Sequence, residues 1–192
     1  MRVLGIDPGS RYTGFGVVDQ RANRLHHVGH GVLRLDSDAP LEVRLHELFD
    51  GLTRAVATYA PDAVAVEGVF TFKNARSALI LGHARGVALL VAAQRSLPVH
   101  EYPPAKVKKA VGASGASDKD AVARMVKTFL GIEVVERTDA TDALAVAICH
   151  LNSLKNPFAA TRKGSLAAFE DRLRPSFERP ALKVVAGKGS GR

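Results

Sequence analysis

The chain has 192 residues, 46% of them hydrophobic, enough for one domain with a sizeable core and a tail. Its net charge of +8 points to a polyanionic partner, nucleic acid or an anionic membrane surface. A single cysteine, Cys149, excludes an intramolecular disulfide and a zinc-finger spacing.

The N-terminal Met1-Arg2-Val3-Leu4 lacks the long apolar core of a signal peptide. No apolar run is read as reaching membrane-spanning length; the longest, near 87–93, is short and flanked by Arg85 and Arg95. A cytoplasmic location with no membrane partner is the expectation. Residues 3–19 then read as an apolar strand ending on a carboxylate, Asp7, a tight turn and a returning strand. Pro8 presets one turn dihedral and Gly9 tolerates positive φ. Gly14 and Gly16 lie inside the returning strand, where glycine lets a ligand or another backbone come close.

Residues 26–35 predict a third, antiparallel strand. Its His26, His27 and His30 have no Cys or acidic partner at ligand spacing, which favours a solvated strand face over a metal site. Asp36-Ser37-Asp38-Ala39-Pro40 is a helix-start signal, with cap residues ahead of a proline early in the helix. Leu41, Leu45, Leu48, Leu52, Val56 and Tyr59 recur at three or four residues, one buried helical stripe ending before Pro61. The apolar run 62–66 follows a helix and reads as a parallel strand, again ending on a carboxylate, Glu67.

Residues 70–74 predict a loop, and about 75–96 a long helix rich in small residues. Gly82 and Gly86 share one face of it. Each glycine costs a helix interior roughly 1 kcal/mol, so the pair implies close backbone approach, either to the sheet or to a second helix in a dimer. Residues 97–102 predict a strand, and 103–112 a short helix carrying Lys106, Lys108 and Lys109. Ser117-Asp118-Lys119-Asp120 resembles a capping box opening a helix with Met125, Phe129 and Leu130 inward and Gly131 closing it. The last core helix starts near Thr138; Asp139 and Asp142, three apart, share one of its faces. Cys149 falls within its apolar pattern, as a buried thiol.

Periodicity fades after Asn156. Residues 155–192 hold nine Lys/Arg against three acids, a net +6, while the first 154 carry 18 against 16, a net +2. The expectation is a domain over 1–154 and a basic, disordered tail over 155–192.

The strand and helix order predicts an α/β domain: three antiparallel strands extended by two parallel ones, five in all, flanked by helices. Ligand sites of such sheets lie beyond the carboxyl ends of the strands. Asp7 and Glu67 end strands there, and Asp139 and Asp142 share a helix face. Clustered carboxylates repel and hold protons unless a cation joins them. Hard divalent metal, Mg²⁺ or Mn²⁺, suits carboxylate oxygens together with phosphate. Two ions about 4 Å apart activate a water and stabilise the leaving oxygen of a phosphoryl displacement. Lys106, Lys108, Lys109 and Lys119 would then hold neighbouring phosphates; the alternative for each is a solvated helix face.

Gly5-Ile6-Asp7-Pro8-Gly9-Ser10, Glu67-Gly68-Val69-Phe70, Lys73-Asn74-Ala75, Gly82-His83-Ala84-Arg85-Gly86 and Asp139-Ala140-Thr141-Asp142-Ala143-Leu144-Ala145 together resemble the RuvC-type Holliday-junction resolvases over residues 1–154. The resemblance implies an RNase H-like fold and a homodimer cutting two opposed strands of a four-way DNA junction. It implies Mg²⁺, with Mn²⁺ as a substitute, two per active site, held by Asp7, Glu67, Asp139 and Asp142. Phe70 matches an aromatic residue thought to stack on an unpaired base, and Lys108 and Lys119 match DNA-contacting lysines. Lys73 falls within a matched motif and joins the candidate DNA contacts. Family members act beside a junction-binding protein and a branch-migration ATPase. Some relatives carry histidine where this chain has Asp139, a departure in the metal-binding set.

Three rivals remain from the residues themselves. The opening hairpin also resembles the phosphate loop of actin- and hexokinase-like ATPases, which need a second similar domain. A non-catalytic junction-binding protein would bind DNA equally with or without metal. A single-strand RNA nuclease of the same fold would behave as a monomer.

Overall fold

The computed structural model describes residues 1–22, 24–68, 75–112, 119–132, 135 and 137–155. Five strands form one sheet: β1 (Arg2–Asp7), β2 (Tyr12–Arg21), β3 (Arg24–Arg34), β4 (Ala63–Glu67) and β5 (Val99–Tyr102), in the order β3-β2-β1-β4-β5. The β1–β2 and β2–β3 ladders are antiparallel; β1–β4 and β4–β5 are parallel. Helices α1 (Leu41–Tyr59), α2 (Ala75–Gln94), α3 (Pro104–Ala110), α4 (Lys119–Leu130) and α5 (Thr138–Lys155) complete the unit Met1–Lys155. This is the mixed, helix-flanked sheet that the sequence predicts.

Strand alternation divides the core in two. Val3, Val18 and Ala65 pack against α5 with α3 and α4. Leu4, Ile6, Val17, Val64 and Val66 point to the opposite face and pack on α1 and α2 through Leu48, Leu52, Val56, Ala84, Ala88 and Val91. Along β1, Gly5 and Asp7 therefore belong to the α5 face with Val3. Along β4, Glu67 belongs there with Ala65.

Helix α5 lies hard against this face because glycines floor it. A Cβ on Gly5 would strike the carbonyl of Ala143, and one on Gly14 the carbonyl of Asp139. A Cβ on Gly16 would meet Leu144. Gly14 and Gly16 thus serve close approach of a backbone, one of the two readings of the sequence.

Several local expectations are corrected. Helix α1 starts with Pro40 at its N-cap position and makes no side-chain cap bond. Asp36 instead accepts from the Asp38 N–H at 3.0 Å, closing its own turn. The inward line of α4 is Val122, Val126 and Leu130, while Phe129 is exposed; spacing of four carries the buried stripe straight down the helix and turns Phe129 away. Helix α2 is long and apolar enough to cross a membrane by length and composition, contrary to the sequence reading. Its core side packs on α1 and the sheet through Ala84, Ala88, Val91 and Ala92, while Leu79 and Leu90 are exposed. Gly82 and Gly86 meet nothing within 4 Å, so packing on the sheet is not their role. Helix α5 ends at Lys155, and the expected tail lies outside the described residues.

Candidate active site

Asp7 closes β1 and Glu67 closes its parallel neighbour β4, one residue past the Ile6–Val66 pairing. Their side chains share a hydrogen bond. Across the β1–β2 ladder Asp7 faces Gly14, the residue over which the Asp139 backbone passes. That contact sets the first turn of α5 beside Asp7, and Asp139 and Asp142 follow from the helical repeat. All four acids are partly buried.

The electrostatic result is large. Burial is the main cause that pushes the Asp7 carboxyl up to about 8; the charge and hydrogen bond of Glu67 come next, then the charges of Asp142 and Asp139. Carboxylates from two other stretches of the chain, Glu67 and the Asp139 and Asp142 pair, thus act on Asp7. Asp139 is also drawn aside: its Oδ2 lies 3.4 Å from Nε of Arg137. Among the described residues no three His, Cys, Asp or Glu side chains close into a ready-made metal cage. The donor set nonetheless fits a hard divalent cation, being all carboxylate oxygen in a pocket with an excess of negative charge.

The other candidates divide. Lys106 is exposed on α3, and its Nζ sits 4.7 Å from the Tyr102 ring centre, a cation–π contact. Lys108 and Lys109 lie in the last turn of the same helix, Lys109 exposed and Lys108 partly so. Because β5 pairs Tyr102 with Glu67, α3 starts at the acid-bearing end of the sheet. Lys119 begins α4. Phe70 and Lys73 lie outside the described residues. Arg85 of the glycine-rich motif is taken up by an ion pair with Glu101. His27 and His30 contact each other, Nε2 to Nδ1 at 2.8 Å, on β3.

Two groups escaped sequence reasoning. Arg137 stacks on Tyr12, its Cζ 3.7 Å from the ring centre, beside Asp139. The available signal was a lone arginine directly ahead of the acid-bearing helix. On α5, buried His150 meets the Tyr102 hydroxyl through Nδ1 at 2.7 Å and the His100 ring at 4.3 Å. Burial chiefly, then His100 and Lys106, push its imidazole down to about 4. Cys149 beside it is a buried thiol raised to about 11 by burial.

Residues 3–150 match the family model described as crossover junction endodeoxyribonuclease RuvC. A crossover junction endodeoxyribonuclease RuvC of Myxococcus xanthus is 62% identical over 191 residues, covering 95% of this chain and all of the relative. The RuvC of Sorangium cellulosum is 46% identical, covering 91% of this chain and 97% of its own. Among solved structures, Thermus thermophilus RuvC in complex with a Holliday junction substrate superposes with a TM-score of 0.74 at 30% identity, covering 81% of this chain and 96% of that one.

Proposed function

Because this chain belongs to the RuvC family of crossover junction endodeoxyribonucleases, which are metal-dependent nucleases, we propose that the pocket of Asp7, Glu67, Asp139 and Asp142 is the site at which it cuts DNA. As an endonuclease of this family it resolves four-way DNA junctions in recombination and repair. The observation that carries the site is the Asp7 carboxyl, raised to about 8 by burial and by its three acidic neighbours. A divalent cation bound beside such a group displaces its proton and draws the carboxyl into the charged form.

The four carboxylates would hold Mg²⁺, with Mn²⁺ as a substitute, two ions per site. Held by these residues, such ions would activate the attacking water and offset charge on the leaving oxygen, in a hydrolysis that gives 5′-phosphate and 3′-hydroxyl ends. The protein's own part is positional. Two strand ends and one helix turn hold the acids, and the glycine floor keeps α5 at the distance this needs. Lys106, Lys108 and Lys109 approach from the β5 side, and Lys119 joins them in binding backbone phosphates. Phe70 stacks on an unpaired base, and Lys73 contacts the strand nearby.

A four-way junction has approximate two-fold symmetry, so paired cuts call for a C₂ homodimer. Helix α2 offers the face. Leu79, Gly82, Gly86 and Leu90 share one side of it, the leucines exposed and the glycines open. Two such helices crossing at the glycines bring backbones close and bury the leucines. A junction-binding protein, a branch-migration ATPase and a cytoplasmic location complete the reading.

The test incubates the protein with a labelled four-way junction, a plain duplex and an RNA–DNA hybrid, with Mg²⁺ and with chelator. Paired cuts confined to the junction and lost in chelator are expected. Asp7→Asn binds the junction without cutting it; residual cutting by that variant removes the role given to the pocket.

A further inference from the structure

We infer that Arg137 is a substrate-contacting residue of this nuclease, receiving a backbone phosphate of the strand that lies across the acids, near the phosphate that is cut. The inference rests on the acidic pocket being the cleavage site.

Arg137 directly precedes α5. Its guanidinium lies flat enough on Tyr12 to bring Cζ within 3.7 Å of the ring centre. Its nearest approach to Asp139 is through Nε, at 3.4 Å. Stacking from one side and a carboxylate at one edge leave the group little freedom. Yet 46% of the side chain is still exposed. An ion pair this open contributes about 0–1 kcal/mol, too little for fold stability to explain the arrangement. A guanidinium has five N–H donors in a planar fork, and an approach through Nε engages one edge. The remaining donors match the bidentate geometry of a phosphate.

Topology gives the position its meaning. Asp7 and Glu67 end the neighbouring strands β1 and β4, Asp139 and Asp142 lie on α5, and the α3 lysines are on the β5 side. Tyr12 starts β2, across from the end of β1, and pairs with Arg34 at the end of β3. The same end of the sheet thus carries cations on both flanks of the acids. Tyr12 also lines a cleft of about 140 Å³, with Arg11 and Arg34 together with the acids Asp36 and Asp38. Arg11 and Arg34 are exposed there. A strand laid across the acids meets lysines on one side and the Arg137–Tyr12 stack on the other.

The test measures junction binding by the full chain in chelator, where no cutting occurs, across a series of salt concentrations. Arg137→Ala is expected to weaken binding about five- to tenfold. It should also lower the slope of log affinity against log salt by about 0.9, the value of one phosphate contact. Arg137→Lys restores the slope, and Tyr12→Ala reproduces the loss of affinity. A slope unchanged by Arg137→Ala overturns the inference, because an arginine acting through Asp139 alone does not alter the count of released counterions. That outcome is distinct from a failure of the parent reading, which shows as cutting by Asp7→Asn.

Discussion

Asp7 and Glu67 end adjacent parallel strands and share a hydrogen bond between their side chains. Two carboxyl groups can do this only while one keeps a proton, which the raised Asp7 provides. The pair is therefore a proton store in the metal-free protein and a ready anionic site once the proton leaves.

The first prediction concerns pH and metal. Between 3.8 and about 8 the folded chain keeps a proton on Asp7 that the unfolded chain has released. Stability from this group is accordingly lost as pH rises through that window. In chelator, the melting temperature should fall from pH 6 to pH 8.5 more steeply in the wild type than in Asp7→Asn. Mg²⁺ should recover the wild type at the upper pH and leave Asp7→Asn nearly unmoved. Parallel curves for both proteins in chelator contradict this account.

A second prediction uses the glycine floor. In Gly14→Ala the new methyl meets the Asp139 backbone, which cannot yield without shifting α5. We expect a loss of about 1–3 kcal/mol in urea denaturation and a fall in cutting of about 10²-fold. Gly29→Ala is the control: its methyl meets the Tyr59 ring, away from the acids, so stability drops while the cutting rate per folded molecule holds.

His150 supports a prediction of opposite sign in acid. The unfolded imidazole takes a proton below 6.5, whereas the folded one waits until about 4. Stability is thus full above 6.5 and lost as pH falls through the window, by roughly 3 kcal/mol in all. Urea midpoints at pH 7 and pH 4.5 should separate widely for the wild type and much less for His150→Gln. The same separation in both assigns the acid sensitivity to other groups.

The last prediction addresses α2. Leu90→Glu places a charge on the exposed apolar face beside Gly86. Sedimentation should give a dimer for the wild type and a monomer for the variant, with circular dichroism unchanged. Junction cutting by the monomer should fall from paired cuts to single nicks. A wild type that sediments as a monomer removes the proposed interface.

The residues alone determined the sheet and the order of its elements, and they singled out four acids as a candidate site. Strand alternation, helical repeats and carboxylates at strand ends are local patterns, and the apolar periods that write them are also what bury the core. The approach of β2 to α5 was half legible: Gly14 and Gly16 announced a close neighbour without naming it. Other features depended on contacts between segments far apart in the chain. Phe129 points outward because Val122, Val126 and Leu130 already fill the buried line of α4. Gly82 and Gly86 face open space because the alanines of α2, not its glycines, meet the core. Tyr12 and Arg137, 125 positions apart in the numbering, stack only because β2 and the start of α5 converge. The raised Asp7 carboxyl belongs to the same class. A pKa depends on burial and on the distance to other charges, and both exist only once the chain has folded.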